Sequence, residues 1–254
     1  MWTKLFAETL IPSFVVMVII AVIVALLLRN KEEKYKMIPI QIIAVILVAL
    51  ELMKQIYGIV TGYVTYWLPF HFCSLFIFVL PIMAFYRGKH KDLVRIVGTA
   101  ACTMLFLFMC VYPTLIYSEE NILNIGKDLL SFHTVIFHNL VLLAFVLMVA
   151  IRPYKFKAKR DLLAVLVFFA CFCVISGSMA NILKTNYNSF YYCQVLPIES
   201  IRVSLNNAMG GFGQFVYVLM ISCGTIAVGI ASYGLLRLIN LIVCKCTAKK
   251  TKQQ

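Results

Sequence analysis

The run Leu68-Pro-Phe-His-Phe-Cys-Ser74 sets an imidazole two residues from a thiol, inside a segment otherwise built for a lipid interior. A second run, Ser131-Phe-His-Thr-Val-Ile-Phe-His138, carries two more histidines in another apolar stretch. Three of the four histidines, His71, His133 and His138, thus lie where a titratable group is costly and is usually kept because something uses it. The chemistry in view is nucleophilic: a thiolate attacks where a thiol does not, so Cys73 needs a base. On an ideal helix His71 and Cys73 point roughly 200° apart, which assigns the base to another helix, through His133 or His138. Those two are roughly 140° apart on their own helix, so at most one aims squarely at a shared pocket. For any one histidine alone, the competing reading is a hydrogen bond between helices.

The elements that must position these groups follow from composition. Of the 254 residues, 63% are hydrophobic, and the mean hydropathy of +0.94 lies well above that of globular domains. Seven stretches reach or approach the roughly 20 apolar residues that span a bilayer: about 10–28, 38–57, 67–86, 93–112, 132–151, 161–184 and 211–243. The prediction is an all-α polytopic membrane protein, a bundle of seven transmembrane helices forming one integral membrane domain over 1–254. Of the 23 Lys and Arg residues, 18 fall in alternate flanks around Arg29, Arg87, Arg152 and the C-terminus. Cytoplasmic flanks collect such residues, so the N-terminus is expected outside and the C-terminus inside a multi-pass cell-membrane protein.

The net charge of +13 is spread over these short flanks rather than gathered on one folded face, which argues against a nucleic-acid partner and for contacts with anionic lipid head groups. The first apolar run is followed by Arg29 without a small-residue cleavage signal, so it reads as a retained helix. Most of the nine cysteines lie within spans and act as small hydrophobes; Cys244 and Cys246, beside basic residues, read as membrane-edge residues ahead of palmitoylation sites. With no C-x-x-C and no His pair at i, i+4, no metal and no cofactor is expected.

With that topology, the helical rise sets the depth of each polar residue. His71 and Cys73 lie roughly 6 and 9 Å below the outer end of the third span, and Glu51, Lys54 and Gln55 roughly 5–10 Å below that of the second. Asn181 and Lys184 close the sixth span on the same side, and Gln214 opens the seventh. Polar residues are therefore expected in the outer half alone, which describes a one-sided pocket and not a channel or proton relay. Glu51, Lys54 and Gln55 share one helix face, either as an ion pair that locks helices or as a substrate-orienting group.

The two motifs, with the chain length, span count and basic loops, resemble the YwaF-like family of bacterial integral membrane proteins. That family is similar in turn to the eukaryotic transmembrane protein 164 family, whose acyltransferase moves fatty acyl groups between phospholipids through a Cys nucleophile. The resemblance implies that Cys73 is the nucleophile, with His71 and one of His133 and His138 as base or orienting group. It implies membrane lipids as partners, with Glu51, Lys54, Gln55, Asn139 and Asn181 around the substrate. Gln55, Asn139 or Asn181 would donate to the oxyanion. The expected function is lipid acyl transfer or hydrolysis; the alternative is a non-enzymatic transporter or binding protein for a small solute or lipid.

Overall fold

Inside lipid every backbone N–H and C=O must be bonded within the protein, and this chain meets the requirement with helices. A computed structural model describes Thr3–Thr251, apart from the side chains of Leu115 and of residues 243–251. The side chains of Cys244 and Cys246 and the basic residues around them therefore lie outside the described residues. The order is α1 (Lys4–Leu28), α2 (Glu33–Lys36), α3 (Ile38–Thr61), α4 (Phe76–Phe85), α5 (Lys91–Val111), α6 (Glu119–Leu123), α7 (Leu129–Ile151), α8 (Ala158–Ile182), α9 (Leu196–Met209) and α10 (Gly211–Thr251). Six segments, those of α1, α3, α5, α7, α8 and α10, are long and apolar enough to cross a membrane, and among the described residues there is no strand. The chain is a membrane protein.

The expected third span, 67–86, is where the structure departs from the reading of seven. Helix begins only with a 3₁₀ turn at Cys73–Leu75 and runs on as α4, while residues 68–72 form turns. Pro69 has no N–H to donate, and its neighbours take partners from across the bundle instead of along a helix. Asn188 Oδ1 accepts from the Phe72 N–H at 2.8 Å, and the Phe70 carbonyl accepts from Asn188 Nδ2 and from Ser176 Oγ, each at 2.9 Å. Non-helical backbone at membrane depth is tolerated only where protein or a cavity covers it, and here both do. The ideal-helix angle between His71 and Cys73 therefore does not apply.

The bundle centres on α5, whose small residues Gly98, Thr99, Ala100, Ala101 and Thr103 let neighbours approach closely. α1 lies along α7, α3 packs on α4 and α7, and α10 packs on α5 and α8. A Cβ at Gly229 of α10 would collide with the Phe169 ring of α8, so glycine there sets the closeness of that pair. α7 starts at Leu129, three residues ahead of the expected 132, because the Asp128 side chain caps it by accepting from the Ser131 N–H at 2.7 Å. At the basic end, the fully buried Arg95 donates to Glu33 at 2.9 Å and to the Pro153 carbonyl at 2.6 Å, tying α2, α5 and the α7–α8 turn together.

At the opposite end α9 packs on α10, with Glu199 as its anchor. Glu199 accepts from the Cys193 N–H at 2.8 Å and from Arg202 Nε at 3.0 Å. The Arg202 guanidinium holds this carboxyl below its ordinary value of 4.5. A depressed carboxylate stabilises the fold above that ordinary value and loses the contribution as pH falls through and below it. Amide exchange at Cys193 and through α9 is therefore expected to accelerate on acidification below pH 4.5, and Glu199→Gln to remove that pH dependence. Equal acceleration in both proteins would assign the effect elsewhere.

Candidate functional site

On α3 the spacings of three and four bring Lys54 and Gln55 to the Glu51 carboxylate. Lys54 Nζ stands 2.7 Å from Glu51 Oε1, and Gln55 Nε2 donates to the same oxygen at 2.7 Å and to the Trp67 carbonyl at 3.1 Å. Tyr63 Oη donates to Gln55 Oε1 and closes the outer side. Facing them from α7, His133 Nε2 lies 3.3 Å from Glu51 Oε2. The two atoms are within ion-pair distance but not aligned for a hydrogen bond, so both remain buried without a hydrogen-bond partner. Such a cluster survives in lipid because each charge offsets the desolvation of the other.

Beside this cluster lies a cavity of about 500 Å³ whose wall includes His71, Cys73, Tyr117, Thr134, Asn188 and Thr225. Much of its wall is polar. Two non-helical segments roof it: Tyr187 Oη donates to the Thr65 carbonyl, and the Thr65 and Thr185 hydroxyls share a hydrogen bond of 2.9 Å. Asn188, in the left-handed region at φ 52°, which Asn tolerates better than most residues, bonds the backbone on both sides of His71. His71 sits between the rings of Tyr66 and Tyr187, at centroid separations of 4.4 and 5.0 Å, with Nε2 buried and unpartnered.

His138 comes to this region from α7. Its Nδ1 is 2.6 Å from the Thr134 carbonyl, which can only accept, so Nδ1 carries the proton and Nε2 holds a free lone pair. That Nε2 is buried without a partner. Next to it, at a ring separation of 5.9 Å, is Tyr117, whose hydroxyl is also buried and unpartnered.

The sequence profile of the TMEM164 family matches residues 2–232. The chain belongs to the TMEM164 family. No curated protein and no solved structure matches it.

In this TMEM164-family chain the residues singled out by sequence fall into three groups. Glu51, Lys54, Gln55 and His133 converge on one another; His71 and Cys73 share the cavity, with His138 behind its Tyr117 and Thr134 wall. Asn139 and Asn181 stand apart. Asn139 Nδ2 donates back to the Val135 carbonyl of its own helix at 2.8 Å, and Asn181 accepts from Gln214 Nε2 at 3.0 Å in a groove between α8 and α10. Among the described residues no hydrogen bond joins Cys73 Sγ to an imidazole, no three His, Cys, Asp or Glu side chains gather as metal ligands, and Cys73 and Cys193 are both free.

Sequence reasoning missed Tyr117 and Asn188. Both lie in connections between helices, where no periodicity reports which way a side chain points; the cue available was only that the connections 113–131 and 185–210 are long. Asn188→Ala leaves the buried Phe72 N–H without its acceptor, an expected loss of about 1–3 kcal/mol in detergent unfolding. Asn188→Asp keeps that acceptor and should lose less. Faster thiol labelling of Cys73 in the alanine variant would accompany the loss; unchanged labelling would free Asn188 from the site.

Proposed function

We propose that the protein is a membrane-embedded phospholipid acyltransferase or acyl hydrolase with Cys73 as nucleophile and His138 as base. The observation that carries this reading is a cavity at membrane depth that joins the Cys73 thiol to the buried, unpartnered His71 Nε2, with a second buried and unpartnered imidazole nitrogen, His138 Nε2, directly behind its Tyr117 and Thr134 wall. An unpartnered buried lone pair is costly in a passive core and useful in a base.

Cys73 Sγ attacks the acyl carbonyl carbon, and the thiol proton passes to His138 Nε2. The carbon–oxygen bond to the glycerol breaks, the same proton goes to the departing oxygen, and a lysophospholipid and a Cys73 thioester result. An acceptor hydroxyl, from a second lipid or from water, then gives its proton to Nε2 and bonds to the carbonyl carbon as the sulfur leaves and is reprotonated. The Tyr117 hydroxyl is the donor available to the developing oxyanion. Glu51 and Lys54 fix His133 and the field around the site. Catalytic hydrogen bonds of this type often tighten only around bound substrate, in keeping with the absence of a Cys73–imidazole bond here.

The finer placement belongs to the same reading. In it the segment 68–86 makes a seventh crossing, the N-terminus is outside and the C-terminus inside, and the cavity opens in the outer leaflet of the cell membrane; the basic flanks, at the end of the bundle away from the cavity and suited to anionic lipid heads, support this orientation. The motifs around Cys73 and His138 support a further part of the reading, that the chain is of the YwaF-like bacterial branch. The binding-only alternative draws on the missing Cys73–imidazole bond.

The test is intact mass of the purified protein in phosphatidylcholine nanodiscs. A hydroxylamine-sensitive acyl adduct that maps to Cys73 is expected. A folded protein with a free Cys73 thiol and no adduct or acyl product in any phospholipid would move the function to binding or transport.

A further inference from the structure

We infer that the groove between α8 and α10 is the seat of one acyl chain of the phospholipid whose ester reaches the Cys73 cavity. This rests on the acyl-transfer reading and deepens it by assigning the hydrocarbon part of the substrate.

The groove has a volume of about 600 Å³, within the usual range of ligand sites. It follows α8 from Ala170 to Asn181 and α10 from Gly211 to Ile226. At 1.5 Å per residue the α8 side is on the order of 16 Å long. Half of a hydrocarbon core is about 15 Å, so the groove has the length of one leaflet's chain. Its rim faces lipid through Val174, Phe215 and Leu219; of its polar residues, Ser178, Asn181 and Gln214 lie toward the end nearest α9, while the Ser222 hydroxyl is taken up by the Val218 carbonyl of its own helix at 2.8 Å. That is the polarity of a lipid, head at one end and hydrocarbon along the rest. Gly177 keeps the floor deep, since a Cβ there would meet Val218 Cγ1 at 3.2 Å.

Continuity with the cavity selects the occupant. Phe172 and Thr225 line the cavity, while their neighbours Cys173, Ser222 and Ile226 line the groove, so one layer of side chains separates the two hollows. The partition is closed by a weak contact, Cys173 Sγ to the Ser222 carbonyl at 3.8 Å. Of two other hollows, the one between α1, α5 and α7 is about 190 Å³ and offers little polar surface for a head group, and the one of about 550 Å³ beside Val24, Lys31, Tyr35 and Ile38 lies at the basic end and shares no wall residue with the Cys73 cavity.

Two arms test the assignment. In Cys73→Ala protein, phosphatidylcholine with a photoreactive group at the end of its acyl chain is expected to crosslink to the α8 and α10 groove residues. Crosslinks spread over all lipid-facing helices, or concentrated between α1 and α7, would overturn it. In the second arm, Val218→Phe fills the groove floor. A third variant, Ala170→Phe, blocks the end of the groove farthest from Asn181, beyond the reach of an eight-carbon chain; in it thioester formation from palmitoyl phospholipid should fall at least about tenfold while that from octanoyl phospholipid holds, and in Val218→Phe both should fall. An equal change for both chains in Ala170→Phe overturns the groove. Failure of every chain to acylate wild-type Cys73 counts against the acyl-transfer reading instead, and the crosslinks then decide the groove alone.

Discussion

Cys73→Ala and His138→Ala are each expected to slow acyl transfer by on the order of 10⁴-fold or more, with the double variant no slower than the worse single one. In the proposed mechanism nucleophile and base act on one proton, so removing either removes the step and removing both removes nothing further. His138 is the more informative of the two because its tautomer follows from a backbone contact, Nδ1 to the Thr134 carbonyl at 2.6 Å. His138→Gln leaves an amide but no lone pair of comparable basicity, and should resemble the alanine variant. Cys171→Ala, at an exposed cysteine of α8, should leave the rate unchanged. Multiplicative losses in the double variant would show that Cys73 and His138 serve separate steps.

The Glu51 cluster makes the second large effect. Removing one partner of a buried ion pair leaves the other charge uncompensated, so Glu51→Ala is expected to destabilise the protein by about 3–5 kcal/mol. Lys54 loses its 2.7 Å partner and His133 its 3.3 Å neighbour in a single change. Replacing both charges, as Glu51→Leu with Lys54→Met, should recover most of that stability, because apolar groups of similar volume remove the desolvation cost along with the attraction. Detergent unfolding midpoints measure the first effect and its recovery. If the double variant is as stable as wild type yet inactive, the cluster serves the reaction field; if it is stable and active, the cluster only joins α3 to α7.

The long helices were legible because lipid imposes one length and one composition on a crossing segment. The neighbourhood of Glu51, Lys54 and Gln55 was legible for a similar reason, since three- and four-residue spacing on a helix leaves little choice. Residues 67–72 were not. Their apolarity reads as helix, and what prevents it is a set of hydrogen bonds from Asn188 and Ser176, more than one hundred residues later. Tyr117 illustrates the same limit. Nothing in its local sequence says that it faces His138, because the turn that presents it is set by packing against Phe6 of α1.

The bonds from Asn188 also set a timetable. Cys73 enters the membrane well before the residue that pins its backbone, and the Phe72–Asn188 bond closes a separation of 116 positions. At synthesis rates of 5–20 residues per second, the thiol waits on the order of ten seconds on an unsupported turn. A chain interrupted before residue 188 has the Cys73 thiol but not the bonds that shape the cavity around it. If the site acts on lipid as proposed, competence arrives only when the last quarter of the chain docks, and a half-made molecule leaves intact the bilayer into which it is being inserted.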